Sequence, residues 1–418
     1  MKKIFNFLRY HPIYCLFIAI CLIFLPGAIV AQPESQTKLI VRALGIDKNG
    51  EDYEVSAVVF TPKSSQDFTE NYKVVEGKGG SLYEAVVAVG IELGREIGLA
   101  HTGVVFVNDE VCESGLIESL DYLIRDYSLG NDTFIVYVPD SSKDMIKQVN
   151  SLNQESGIKV SNIAQYDEHS VVLQKSNLES IFDSSYSPSK CVFMNVFELS
   201  EEDGLEAGGE SGGSTGGSGG GAGGGESGDS GGGSEQKKKI LNEGKALIVK
   251  EGKKALLLEK EEIDKFKFTK NFSWADVLKI ENFSDENFQN ANIIFTAMKN
   301  TVKYKTYFEN EIPVCKIEMN PFLSIAEVNQ ESLNDNIYVG QNKHSSKKLL
   351  NAVNTKIESE VEEIMNKLIE NNLDVNLIYE YFNANHYKQF QKFLSGLENQ
   401  DDFLKYIKFE YKCNAIIN

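Results

Sequence analysis

Between Gly204 and Ser234 the chain reads GLEAGGESGGSTGGSGGGAGGGESGDSGGGS, and no other stretch limits the fold as sharply. Glycine loses more freedom on ordering than any other residue, and Leu205 is the only large apolar side chain here to offset that loss. No core can run through such a tract. It reads as a disordered linker over residues 201–236, spanning on the order of 30 Å r.m.s. as a Gly/Ser coil. We therefore expect an N-terminal domain over 38–200 and a C-terminal region over 237–418, with 237–340 and 341–418 as a finer subdivision.

The first 33 residues form a third unit. Lys2, Lys3 and Arg9 precede a stretch free of Asp, Glu, Lys and Arg from Tyr10 to Pro33, with an apolar heart from Ile13 to Ala31. That heart approaches the roughly 20 residues a helix needs to cross a bilayer. Positive charge before it directs the N-terminus inward and the rest of the chain outward. Residues 1–33 are thus a signal peptide or a transmembrane anchor. Pro26-Gly27 and Ala31 suit cleavage, whereas the run exceeds the roughly 7–15 apolar residues of a signal core and suits an anchor.

The chain carries a net charge of −19, and the N-terminal segment holds three bases and no acid, which leaves the remainder still more acidic. Nucleic-acid binding rests on neutralising phosphates with Lys and Arg, so nucleic acid is not an expected partner. Cys112, Cys191, Cys315 and Cys413 are far apart in sequence and form no C-x-x-C pair, so neither zinc nor a redox motif is indicated. Cys413 alternates with charged residues in IKFEYKCNA, as a buried thiol on a strand would.

The first domain alternates strand and helix signals. Leu39–Ile46 and Tyr53–Thr61 read as strands about the turn Asp47-Lys-Asn-Gly50. Ser81-Leu-Tyr-Glu84 is a capping box, followed by Val86, Val89, Leu93 and Ile97 at helical spacing. Val104–Val107 and Thr133–Val138 read as strands on either side of a helix carrying Leu116, Leu120 and Leu123. Ser141 and Ser176 open further helices, and Lys190–Leu199 returns as a strand. This order predicts an α/β domain with a mixed, partly parallel sheet.

Beyond the tract, Ala246–Val249 and Ala255–Leu258 flank the hairpin signal Lys250-Glu-Gly-Lys253. Ala291–Met298, Thr301–Phe308, Ile312–Met319 and Phe322–Val328 read as separate strands without intervening helices, which predicts an antiparallel sheet. Leu350, Val353, Ile357, Val361, Ile364 and Leu368 form one helical stripe, and Asp374 is placed to cap a following helix. The C-terminal region is therefore expected to be α+β.

Catalytic patterns are lacking. Glu76-Gly-Lys-Gly-Gly-Ser81 lacks the Walker spacing and reads as a turn feeding a capped helix. His101 has no second metal ligand at i±4, and Asp167-Glu168-His169 reads as a solvated loop. Outside the glycine tract no nucleophile-elbow pattern occurs, and the chain has no zincin motif. The chain is not expected to be an enzyme, and no cofactor or metal is assigned.

Several segments in order resemble the C subunit of spore germinant receptors. They are ALGIDK before YEVSAVVFTP, GKGGSLYEA, and GREIGLAHTGVVFVNDEVCESGLIESLDYLIRD, followed beyond the tract by GKALIVKEGKKALLLEKEE and the helix from Leu349 with Asp374. The matching positions in the third segment are His101, Glu110, Gly115, Asp121, Arg125 and Asp126, with no role assigned. Members of that family are typically lipoproteins with a Trp-Asp pair near the lipidated cysteine; here Cys21 follows Ile20, and the first Trp is Trp274. The resemblance implies a non-catalytic subunit on the extracytoplasmic face of a membrane, in spores the inner membrane, with integral-membrane receptor subunits as partners. The alternative is a solitary surface-anchored protein that binds cell wall or a small ligand.

Overall fold

A computed structural model describes residues 38–60, 72–126, 128–156, 176–201, 238–241, 244–272, 276–286, 288–329 and 346–418. The N-terminal apolar run, the glycine tract, Trp274 and Asp167-Glu168-His169 lie outside them. Among the described residues, no helix is long and apolar enough to cross a membrane.

Runs of β-branched residues build the first sheet. Strands β1 (Lys38–Asn49), β2 (Asp52–Phe60) and β3 (Tyr72–Gly79) form an antiparallel meander. Strand β4 (Glu96–Gly98) pairs in parallel with the start of β1, and β5 (Val104–Val107) with its second half. β5, β6 (Phe134–Tyr137) and β7 (Cys191–Val196) continue in parallel, so the mixed, partly parallel sheet expected of this domain is observed. Helices α1 (Leu82–Leu93), α2 (Asp109–Arg125) and α4 (Leu178–Tyr186) share a core with one face, and α3 (Ser142–Ser156) packs on the other. The central strands β5 and β6 are buried throughout, as a sheet covered on both faces requires.

The expected break at residue 237 does not follow the sheets. Strands β8 (Glu198–Glu201) and β9 (Lys238–Leu241), one on each side of the tract, pair with one another antiparallel. The next strands, β10 (Ala246–Lys250) and β11 (Lys253–Leu258), then join the first sheet, with β10 antiparallel to β7. The hairpin was expected in the C-terminal region. Its Leu247 and Val249 instead complete the core beneath α2 and α4, and Ala246 and Ile248 point to the opposite side.

The second sheet runs β12 (Asp276–Phe283), β13 (Ala291–Glu309), β14 (Ile312–Asn329) and β15 (Lys408–Cys413), with β16 (Ile416–Ile417) beside β14. Four strands expected from the sequence are in fact two long ones. An extra residue in β14 at Ala326 and one in β13 at Met298 shift the register without ending either strand. The two-residue turn at Asn310-Glu311, both with positive φ, matches the twist of its flanking strands. β12, β13 and β14 are antiparallel as expected, but β15 and β16 run parallel to β14. The reason is the crossover: the chain leaves β14 and returns only after α6 (Lys347–Glu370), α7 (Ile378–Ser395) and a 3₁₀ turn at Gln400–Tyr406.

One core joins the two sheets. Cys191, Phe193, Ala246 and Ile248 of the first sheet pack in the same cluster as α5 (Lys260–Lys267), α6 and the inner face of the second sheet. Phe193 and Phe266 meet with ring centroids 5.0 Å apart. The stripe expected on α6 is buried from Val353 to Leu368 and half-buried at Leu350, and Asp374 accepts hydrogen bonds from Ile378 N (2.8 Å) and Tyr379 N (2.8 Å) at the start of α7. The α4 cap falls on Asn177 rather than Ser176, reciprocated by Ser180. Cys112, Cys191, Cys315 and Cys413 are free and buried.

Candidate functional site

Helix α2 and its C-cap Asp126 carry five of the six residues singled out by the family resemblance, and the helix's position follows from a few local contacts. Asn108 caps it, accepting from Val111 N at 3.2 Å and from Lys48 N at the end of β1 at 3.4 Å. Asp109 then receives Lys254 Nζ (2.5 Å) and the Tyr137 hydroxyl (2.6 Å), joining the helix start to β11 and β6. Burial alone would raise the Asp109 pKa, but these two donors outweigh it and leave the carboxyl below its ordinary range.

Gly115 interrupts the helix with φ 129°, a conformation L side chains rarely adopt. The break turns the Leu116 N–H outward to the Gly252 carbonyl at 2.6 Å, at the tip of the β10–β11 hairpin. A residue before the tract is thus matched to one after it.

The last turn of α2 faces α1. Arg125 Nε donates to Asp121 at 2.7 Å, and this exposed pair lowers the Asp121 pKa. The Tyr122 hydroxyl donates to Asp126 at 3.2 Å, and Asp126 also accepts from Ser128 N (2.9 Å) and Ser128 Oγ (2.7 Å). Partial burial, with the Asp126 charge second, pushes the Tyr122 phenol up to about 12. Tyr122 and Tyr83 of α1 meet edge to face at 5.4 Å.

Between the two helices lies an open cleft of about 650 Å³, whose lining includes Tyr83, Val87, Ile91, Ile97, Tyr122 and Asp126. Tyr83, Val87 and Ile91 recur every fourth residue and are 57 %, 37 % and 74 % exposed. Their helix lies flat on β3 because Gly77 lacks a side chain: a Cβ there would stand 2.7 Å from Val89 N. With Leu82, Ala85, Val86 and Val89 facing the core, the stripe is left facing out.

The residues singled out from sequence therefore separate. Asp126 lines the cleft, and Asp121 and Arg125 are paired on the same last turn of α2. Gly115 is a joint in the helix. His101, in the turn before β5, and Glu110, in the first turn of α2, are exposed and lie outside the cleft lining. The stripe on α1 was not singled out, although YEAVVAVGIEL carries apolar residues on more than one helical face.

A second cavity, of about 210 Å³, sits where the two sheets meet. Its charged groups are largely engaged, Lys190 with Glu251 (2.8 Å), Lys250 Nζ with the Asn372 carbonyl (2.9 Å) and Asp374 with two backbone N–H groups, while Asn372 Oδ1 is buried without a hydrogen-bond partner. It is built as a joint. Among the described residues, no group of three His, Cys, Asp or Glu side chains is placed to hold a metal ion.

Comparison with known proteins gives two matches in order along the chain. Residues 32–199 match the spore germination protein N-terminal domain, and residues 243–418 match the spore germination B3/GerAC-like C-terminal domain. A solved structure titled "Crystal Structure of the GerBC protein" is similar at 15 % identity, covering 90 % of this chain and 96 % of that one, with a TM-score of 0.47. No curated protein matches the chain. The two domain matches flank the glycine tract and together cover most of the chain, and by them it belongs to the GerAC-type family of spore germination proteins.

Proposed function

We propose that this protein is a non-catalytic, membrane-attached subunit of a germinant receptor, which holds partner subunits in position on the extracytoplasmic face of the spore inner membrane. The observation that carries this reading is the ordered match to both domains of a spore germination family. A scaffold also needs surface left over after folding, and the exposed stripe Tyr83, Val87 and Ile91 supplies it. Confinement by an N-terminal anchor raises the effective concentration of partners in the same membrane, so modest contacts suffice for assembly.

The test is deletion of the gene followed by germination with individual nutrients, together with affinity purification of the tagged chain from spore membranes. Loss of the response to particular nutrients with normal sporulation, and recovery of integral-membrane receptor subunits with the tag, are the expected results. Normal germination with every nutrient and no co-purifying membrane protein would remove the subunit role.

A further inference from the structure

We infer that the cleft between α1 and α2 receives a net-basic amphipathic helix, presented at the membrane surface by a partner protein. This rests on the subunit reading above and adds the chemistry of the contact. The apolar half of the argument is the stripe itself. Tyr83, Val87 and Ile91 lie on one side of α1 over about 12 Å, the length of two to three turns of a docking helix. Gly90 and Ile97 line the cleft beside them, and Tyr122 closes one wall against Tyr83. An exposed apolar row beside a shallow cleft is what an amphipathic helix covers with residues at i, i+3 or i+4, and i+7.

Charge chooses among the occupants. Helix α1 carries Glu84 and Glu92 and no base, and on the last turn of α2 Asp121 is matched by Arg125. The lining of the cleft itself holds two acids, Glu96 and Asp126, and one base, Arg95. Anionic lipid headgroups would meet this acidic surface with repulsion, and a second copy packed across the same face would set acid against acid. A helix rich in Lys and Arg on its polar side gains at both. The outer face of the second sheet, by contrast, is mixed, with Lys305 and Lys316 paired to Glu318 and Lys408 to Glu410.

Position adds the membrane. Lys38 pairs with Glu96, so the chain enters the fold at the rim of the cleft. Only six residues separate Lys38 from Ala31, the end of the apolar run. At roughly 3.3–3.6 Å per residue, the entry point can stand at most about 25 Å from that end. An anchored chain keeps the cleft within reach of helices lying on the bilayer.

The test uses the full chain in nanodiscs of neutral lipid and two labelled 18-residue amphipathic peptides, one of leucine and lysine and one of leucine and glutamate with the same leucine positions. Fluorescence anisotropy reads binding, with empty nanodiscs as the blank. The lysine peptide is expected to bind saturably, at least tenfold tighter than the glutamate peptide. Ile91→Ser should weaken it about tenfold, while Tyr186→Ser, 86 % exposed on α4, leaves it unchanged. Equal binding of the two peptides, equal binding to empty discs, or indifference to Ile91→Ser would each overturn the inference. A chain that binds through Ile91 but recovers no receptor subunit from spores keeps the cleft chemistry and loses the receptor role, so the two failures are distinguishable.

Discussion

At Gly115 a positive φ sits inside a helix, and the freed Leu116 N–H finds the Gly252 carbonyl on the far side of the tract. Gly115→Ala forces an L side chain into that conformation. It should cost about 1–3 kcal/mol in urea unfolding, whereas an alanine at the neighbouring exposed Ser114 should change little. Asp374 poses a different problem. It is 3 % exposed, and burial lifts its pKa to about 6 despite the two backbone N–H groups it accepts. Glu380 raises it further and Lys270 opposes the shift; burial in turn lowers Lys270 to about 8. A carboxyl whose folded pKa exceeds its unfolded value favours folding at pH below about 4 and loses that contribution as pH rises through about 6. The difference amounts to about 3 kcal/mol at most. Asp374→Asn removes this titration, so Tm of the wild type relative to the variant should fall between pH 4 and 6.5 and then level off. A constant difference across that range would show that Asp374 titrates as an ordinary carboxyl.

Among the elements, β8 and β9 change the meaning of the glycine tract. Composition identified a stretch that cannot build a core, but it could not show that the two flanks pair, Glu198 with Leu241 through to Glu201 with Lys238. The flanks are short and charged, and pairing between strands so far apart leaves no periodicity in either one. If the tract only closes a loop, replacing residues 202–237 by Asn-Gly should keep the fold and stabilise it by about 2 kcal/mol through reduced closure entropy, read by chemical denaturation. Loss of folding would show that the tract contributes contacts of its own. Other elements were legible in proportion to their local signal. The stripe of α6 and the alternation of Val302, Tyr304, Thr306 and Phe308 stated their faces directly. The parallel placement of β15 was not legible, because it is set by the crossover through α6 and α7 rather than by residues within β15. The candidate site was half legible. Asp121, Arg125 and Asp126 stood out through the family resemblance, while Tyr83, Val87 and Ile91 were hidden in a helix apolar on two sides, where sequence cannot say which side the core takes.

For the whole molecule, the chain order and the spatial order disagree, and that disagreement has a mechanical consequence. The first sheet ends in β10 and β11, which lie beyond the tract, and the cluster that holds α5 and α6 includes Cys191 and Phe193 from before it. Two bodies joined only by a flexible spacer would separate when the spacer is cut. Here a cut within the tract leaves β7 and β10 bonded along five residue pairs, with Phe193 still against Phe266. A protease site placed at the middle of the tract should therefore yield two fragments that co-elute in detergent on size exclusion and separate only under denaturant. The N-terminal fragment made alone would present the unpaired edge of β7 with Val192, Met194 and Val196 no longer covered by Leu247 and Val249, and it should aggregate. Two fragments that part under native conditions, each retaining its own cooperative unfolding, would return the tract to the role of a tether. Retention of the nicked complex would mean that the face formed by α1 and α2 and the second sheet are held in one frame. A helix docked at Ile91 would then be fixed in relation to whatever the second sheet contacts, which is the property a positioning subunit requires.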